Sequence, residues 1–260
     1  MTTSLTAELG RELYEHERAR TARDKISVEF PDMSGADAYA VQEEYARLRQ
    51  ADGAKLVGRK IGLTSKAMQE MFGIDTPDYG HLFDDMAVPS GGEIPFDDLV
   101  QAMVEIEVAF ILGRDLAGPG VTRDDVLDAT EAVTASIEVI DSRIVGWATN
   151  FIDTVADNGS SARFVIGDER VDPKTIDLPG VVGQLWRNGE LVDEAPASAV
   201  LDHPAEGVVW LANVMGGYGR SLYAGDVVLS GSLMRAVPIE RGDAFEARFD
   251  KLGSASCKFV

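Results

Sequence analysis

The stretch Val104-Glu105-Ile106-Glu107-Val108-Ala109-Phe110-Ile111-Leu112 decides more about this fold than any other. Side chains alternate faces along a strand, so Val104, Ile106, Val108 and Phe110 share one side. Glu105 and Glu107 share the other, with Cα atoms about 6.6–6.8 Å apart. Taken alone, the stretch also fits a half-exposed strand whose wet face carries two glutamates. A second segment, Ala135-Ser136-Ile137-Glu138-Val139-Ile140-Asp141, is equally apolar and holds Glu138 at its centre. If the two strands are neighbours, three carboxylates converge between apolar walls. Like charges that close, partly desolvated, require protonation or an intervening cation. Oxygen donors with no nearby Cys or His pattern suit a hard ion, Mg²⁺ or Mn²⁺, with coordination positions left for water or a chelating substrate.

Working outward, further strand candidates are Ala162–Ile166, Val181–Arg187, Asp226–Leu229, Ala244–Phe249 and Ser256–Val260. Asn188-Gly189 lies between two such runs and is the dipeptide that a two-residue hairpin favours, because both central residues need positive φ. The first third reads as helical. Leu5, Leu9 and Leu13 recur at i, i+4, and a second helix is expected from about Ala36 to Gln50, with Gly53 helping to end it. Ser65 can cap a short third helix carrying Met68, Met71 and Phe72. Thr122, with Asp125 three residues on, opens another helix, and His203-Pro204 opens one running through Trp210 and Met215. Strands dominate without regular βα alternation, which argues against a doubly wound parallel sheet.

The chain is 260 residues long, enough for one large domain or two small ones at about 150 residues each. Twenty-four Lys and Arg against 44 Asp and Glu leave a net charge of −20, which disfavours nucleic acid and anionic membrane surfaces as partners. The single Cys257 allows no internal disulfide and suits a reducing cytoplasm. The charged N-terminus does not read as a signal peptide, and no apolar run approaches the roughly 18 residues that span a bilayer. The expectation is a soluble intracellular protein.

Other stretches bear on chemistry. In Val57-Gly58-Arg59-Lys60-Ile61-Gly62-Leu63-Thr64-Ser65, an extended backbone puts Lys60 on one face with Gly58 and Gly62. Open space around that ammonium would admit a small anion; a surface lysine in a glycine-containing loop is the plainer alternative. Thr154-Val155-Ala156-Asp157-Asn158-Gly159-Ser160-Ser161 reads as a polar loop before a strand and a candidate pocket wall. His16, His81 and His203 are scattered without zinc-site spacing, and neither a GxGxxG or Walker-type loop nor a GxSxG elbow is present. Gly216-Gly217-Tyr218-Gly219 reads as a helix terminus, and Cys257 as packing rather than a nucleophile.

Taken in order, Gly58-Arg59-Lys60-Ile61-Gly62-Leu63-Thr64-Ser65-Lys66, Asp75-Thr76-Pro77-Asp78-Tyr79-Gly80, Glu105-Ile106-Glu107, Glu138-Val139-Ile140-Asp141-Ser142-Arg143 and Val155-Ala156-Asp157-Asn158 resemble the 2-hydroxypenta-2,4-dienoate (2-keto-4-pentenoate) hydratases and their relatives the 4-oxalocrotonate decarboxylases, within the fumarylacetoacetate hydrolase superfamily. The resemblance runs from about residue 55 to the C-terminus. It implies an α+β fold, with a small helical N-terminal region (1–75) before a mixed β-roll catalytic domain (76–260). It implies a divalent ion, Mg²⁺ or Mn²⁺, on Glu105, Glu107 and Glu138, with catalytic roles for Lys60 and Asp78. Leu63, Asp157, Ser160 and Ser161 would contact substrate, a 2-hydroxydienoate or 2-oxo acid. Leu229-Ser230-Gly231-Ser232 falls at a turn whose backbone faces the substrate in the superfamily, but it departs from the Thr-Gly form common there. The superfamily's hydrolases carry a lysine after the third metal ligand. Residues 150–161 contain none, which counts against C–C hydrolysis. The implied activity is water addition to the dienoate in aromatic-compound catabolism, in a cytoplasmic homo-oligomer able to associate with a pathway decarboxylase. Decarboxylation of a 2-oxo-hexenedioate is the alternative, ahead of acylpyruvate hydrolysis or a non-catalytic subunit.

Overall fold

β4 (Met103–Leu112) and β5 (Thr130–Ile140) lie side by side and antiparallel at the heart of the larger of two sheets. The structure is a computed structural model and describes residues 1–64, 76–148 and 150–260. The helix expected after Ser65, with Met68, Met71 and Phe72, lies outside the described residues, as do Lys66 and Asp75.

Among the described residues the chain begins with α1 (Thr3–Ala19), α2 (Ile26–Glu29) and α3 (Gly35–Ala51). The start of α3 is fixed by a reciprocal cap, Ser34 Oγ accepting from Asp37 N–H while Asp37 accepts from Ser34 N–H. The chain continues through β1 (Leu56–Gly62), β2 (Asp78–Phe83), β3 (Gly92–Ile94) and β4 to α4 (Arg123–Ala129) and β5. Next come α5 (Phe151–Ala156), β6 (Ser161–Ile166), β7 (Val182–Arg187), β8 (Glu190–Pro196) and α6 (Ala205–Gly217). β9 (Val227–Leu229), β10 (Val237–Pro238), β11 (Ala244–Phe249) and β12 (Gly253–Phe259) complete it.

The larger sheet runs β2-β1-β9-β4-β5-β6, with β10 also on β4; the smaller runs β3-β12-β11-β7-β8. Both are mixed, since β1 pairs parallel with β9 and β12 parallel with β3, and the class is α+β. Val104, Ile106, Val108 and Phe110 face Phe245, Ala247, Phe259 and their neighbours from the smaller sheet in one apolar cluster. Each large apolar side chain so enclosed contributes about 1.5–3 kcal/mol, and a one-residue slip of β4 would drive Glu105 and Glu107 into this layer. The register is thereby fixed. On the opposite face, Ala109 and Leu229 join Leu9, Leu13, Val41 and Tyr45 of the N-terminal helices in a second cluster. No helix of the described residues is long and apolar enough to cross a membrane.

The differences from the sequence expectations are local. The sheet starts at Leu56, ahead of the division at residue 75, so the segment before that point is not wholly helical. β1 escapes a search for apolar alternation because its buried positions are Gly58, Arg59, Lys60 and Ile61. Thr154-Val155-Ala156 belongs to α5, capped by Asn150, and only the residues after it form a turn. The Asn188-Gly189 hairpin is present, both residues with positive φ (54° and 85°). His203 opens α6 by accepting from Ala205 N–H on Nδ1, and Cys257 is buried in β12.

Candidate active site

Strand pairing delivers the third carboxylate. Glu105 lies directly opposite Glu138 in the β4–β5 ladder, and Glu107 opposite Ser136. One carboxylate oxygen from each of Glu105, Glu107 and Glu138 lies within 4.8 Å of the others. The half-exposed reading of this face does not hold, since Glu107 and Glu138 are fully buried. Glu107 Oε2 accepts from Gly231 N–H at 2.6 Å, whereas Glu107 Oε1 and Glu138 Oε1 have no hydrogen-bond partner among the described residues. Leaving ionised carboxylate oxygens buried and unpaired costs several kcal/mol each. Converging orphaned oxygens of this kind fit a hard divalent cation of the Mg²⁺ or Mn²⁺ class, bound by these three glutamates.

Lys60 projects from β1 onto the same spot, its Nζ 3.1 Å from Glu138 Oε2. The glycines around it do something other than expected. A Cβ at Gly58 would lie 1.9 Å from Val227 O, and one at Gly62 would lie 2.2 Å from Asp78 Oδ1. Both spaces are therefore filled by neighbours and do not form an anion pocket. The lysine stem instead runs between Gly80 and Gly159, where added Cβ atoms would sit 3.3 and 3.0 Å from Lys60 Cδ.

Charge and burial work against each other here. Burial pushes the Glu105 carboxyl up, Lys60 pulls it back, and Glu138 and Asp78 repel it, leaving it at about 7. Glu107 is raised well above the carboxylate range by burial and by Glu138. Asp78 is raised by burial, against the pull of Lys60 and hydrogen bonds from Thr154 and Gly62. For Lys60, burial acts to lower the pKa, but Glu138, Glu105, Asp78 and Glu107 outweigh it and hold the ammonium protonated. One lysine does not neutralise this set of acids; a bound dication would favour their ionised forms.

Glu105 opens the cluster onto a cavity of about 520 Å³, with Glu107 and Glu138 buried behind its lining. Lys60, Asp78 and Glu105 lie on its polar side, and Leu63, Trp147, Met103 and Ile140 are among its apolar walls. Ser160 also lines it, but Asp157 and Ser161 do not. Asp157 turns away to Arg143, Nε to Oδ1 2.7 Å, in a buried ion pair. Its other oxygen accepts from Ser160 Oγ (3.0 Å), Ser142 Oγ (3.1 Å) and Arg143 N–H (3.0 Å), so it holds the pocket turn in place without facing a ligand. Asn158, Gly159 and Ser160 all have positive φ, 57°, 59° and 54°. Asn158 anchors this turn by bonding both backbone groups of His81 in β2. Gly231 spends its N–H on Glu107, while Ser232 lines the cavity.

Sequence reasoning missed three contributors. Gln42 of α3 reaches into the fold to donate to the carbonyls of Tyr79 and Val155, tying β2 to α5 beneath the site. Trp147 and Arg235 line the cavity from segments without regular structure. Gln42, which shares the buried face of α3 with Ala38, Val41, Tyr45, Ala46 and Arg49, is the only one of these that leaves a signal in the sequence.

Residues 59–260 match the model of the fumarylacetoacetate (FAA) hydrolase C-terminal family. The chain belongs to that family. Among characterised relatives, it is 42% identical to 2-hydroxyhexa-2,4-dienoate hydratase of Comamonas testosteroni over 96% of both chains. It is 40% identical to 2-oxo-hept-4-ene-1,7-dioate hydratase of Escherichia coli over 97% of both. Among solved structures of the family, it superposes on 4-oxalocrotonate decarboxylase from Pseudomonas putida G7, complexed with magnesium and adipate. That match has a TM-score of 0.97 and 36% identity, and covers 100% of this chain and 99% of that one.

Proposed function

We propose that this chain is a divalent-metal-dependent hydratase, a hydro-lyase that adds water to 2-hydroxypenta-2,4-dienoate or a longer homologue. The product is a 4-hydroxy-2-oxo acid, in the catabolism of aromatic compounds. The observation that carries the reading is the convergence of three carboxylates beside Lys60, two of them fully buried with oxygens that no described residue satisfies, behind a cavity that Lys60, Asp78 and Glu105 line. The kinship with dienoate hydratases supports it.

Glu105, Glu107 and Glu138 would hold the ion, which supplies Lewis-acid stabilisation of negative charge on the substrate's C2 oxygen. The protein supplies the rest. Apolar walls exclude bulk water, so the few charges present act at low dielectric. Ketonisation requires a proton to leave the C2 hydroxyl and one to arrive at C5; water then adds its hydroxyl at C4 and a proton at C3. Lys60 and Asp78 are the residues placed to hold and move those protons. Lys60 is charged and buried, whereas Asp78 is an acid whose raised pKa brings its two protonation states closer in energy. Leu63 and Ser160 border the substrate, and Asp157 and Ser161 act as supports of that wall.

Incubation with Mg²⁺ and freshly made 2-hydroxypentadienoate tests the proposal. Loss of the diene absorbance with formation of the hydroxy-oxo acid is expected; persistence of the diene contradicts it. The close match to a decarboxylase structure favours a second reading, loss of CO₂ from a 2-oxo-hexenedioate on the same chelate. Evolved CO₂ without water addition would select it. Self-association, a cytoplasmic setting and docking with a pathway decarboxylase belong to the same reading; light scattering of the purified chain tests the first.

A further inference from the structure

We infer that Arg235 is a specificity-determining residue that binds a second carboxylate at the far end of the substrate, so that among the longer homologues of the dienoate the dicarboxylic 2-oxo acids and their enols are preferred over monocarboxylic ones. This rests on the proposed chelation of the substrate head by the glutamate site.

Two cationic side chains line the cavity among the described residues, Lys60 and Arg235. Lys60 is buried and engaged with Glu138. Arg235 is exposed at the cavity's rim and forms no hydrogen bond or ion pair among the described residues. A guanidinium offers five donors in a planar fork that matches a carboxylate, and it stays charged at any working pH.

The segment that carries it is anchored on both sides. Ser230 N–H donates to Val108 O at 3.1 Å, Leu233 N–H to Ile106 O at 3.1 Å, and Val237 pairs with Val104. Ser232 Oγ closes the turn on Met234 O at 2.7 Å. The strand that presents Glu105 and Glu107 to the substrate head therefore also positions Arg235. The cavity's apolar lining includes Leu63, Trp147, Met103 and Leu233. A cavity that combines a carboxylate-rich cation site, a guanidinium without a protein partner among the described residues and several apolar walls suits a dicarboxylate. A monocarboxylic dienoate would leave the guanidinium with water alone.

The test uses the Mg²⁺-loaded full chain and two ligands with the same 2-oxo acid head and carbon count, 2-oxoadipate and 2-oxohexanoate, with binding measured by calorimetry. The wild type is expected to prefer 2-oxoadipate by about tenfold, the order of one charge-assisted pair. That preference should shrink as salt is raised, as an exposed charge pair requires. Arg235→Met should weaken 2-oxoadipate about tenfold more than 2-oxohexanoate, and Arg235→Lys should restore part of the preference. Equal affinities in the wild type, or a preference that survives Arg235→Met, overturn the assignment of Arg235 alone. Binding of neither ligand overturns the chelating site and this inference together.

Discussion

Glu107 holds the position in the site with the least freedom. It is fully buried, one oxygen is spent on Gly231 N–H, and the other has no partner among the described residues. Glu107→Gln keeps that bond and the side-chain shape but removes a charge. It is expected to leave the chain folded and weaken Mg²⁺ binding by more than about 100-fold, as calorimetry would register. Lys60→Met is expected to lower kcat by about 10²–10⁴ while Mg²⁺ still binds, separating proton handling from metal affinity. Away from the site, Glu43 illustrates a pH effect with a clear sign. Burial raises its carboxyl, but hydrogen bonds from His81 and Arg220 and the charges of both pull it down to about 2. The folded pKa lies below the unfolded value of about 4.5. The stabilisation is therefore complete above pH 4.5 and lost as pH falls towards 2. Glu43→Gln should cost about 1 kcal/mol at pH 7, discounted for partial exposure, and the difference in urea midpoints should narrow below pH 4.5.

At the scale of elements, β1 separates two uses of glycine. A methyl at Gly58 meets the backbone of β9, which cannot yield, so Gly58→Ala is expected to destabilise by about 2 kcal/mol or more in thermal unfolding. A methyl at Gly62 meets the side chain of Asp78, which can swing away. Gly62→Ala should therefore lose activity with a smaller drop in melting temperature, because a candidate proton-transfer group is displaced. This strand also marks where the sequence was hard to read. β4, β5, β11 and the Asn188-Gly189 hairpin announced themselves, because an apolar layer on one side imposes period-two patterning and the turn demands positive φ. β1 buries a glycine, an arginine and a lysine in succession, and its pairing with β2 and β9 is settled by long-range contacts that leave no local periodicity. The glutamate triad was legible for the same reason that β4 was. The direction of Asp157, by contrast, depends on Arg143 from a separate segment, and the place of Arg235 depends on hydrogen bonds to β4.

For the whole molecule, the acids of the site are a destabilising concentration of charge in a chain whose net charge is already −20. The apolar layer between the sheets and the helical cluster on the other face supply the stability that permits it. A ligand that binds only the folded state adds RT ln(1 + [L]/Kd), about 2.7 kcal/mol at one hundred times Kd. Mg²⁺ should thus raise the melting temperature of the wild type and leave Glu107→Gln nearly unmoved. The family resemblance read from the ordered motifs gave the α+β class and named the three glutamates that the strands bring together, yet it placed the helical division at residue 75, beyond a strand that already belongs to the sheet. The most direct test of the central claim is a crystal grown with Mn²⁺ and oxalate, a two-oxygen mimic of the substrate head. The account predicts an anomalous peak bonded to Glu105, Glu107 and Glu138, with both oxalate oxygens completing its coordination. A manganese ion bound elsewhere, or these carboxylates without one, would contradict it.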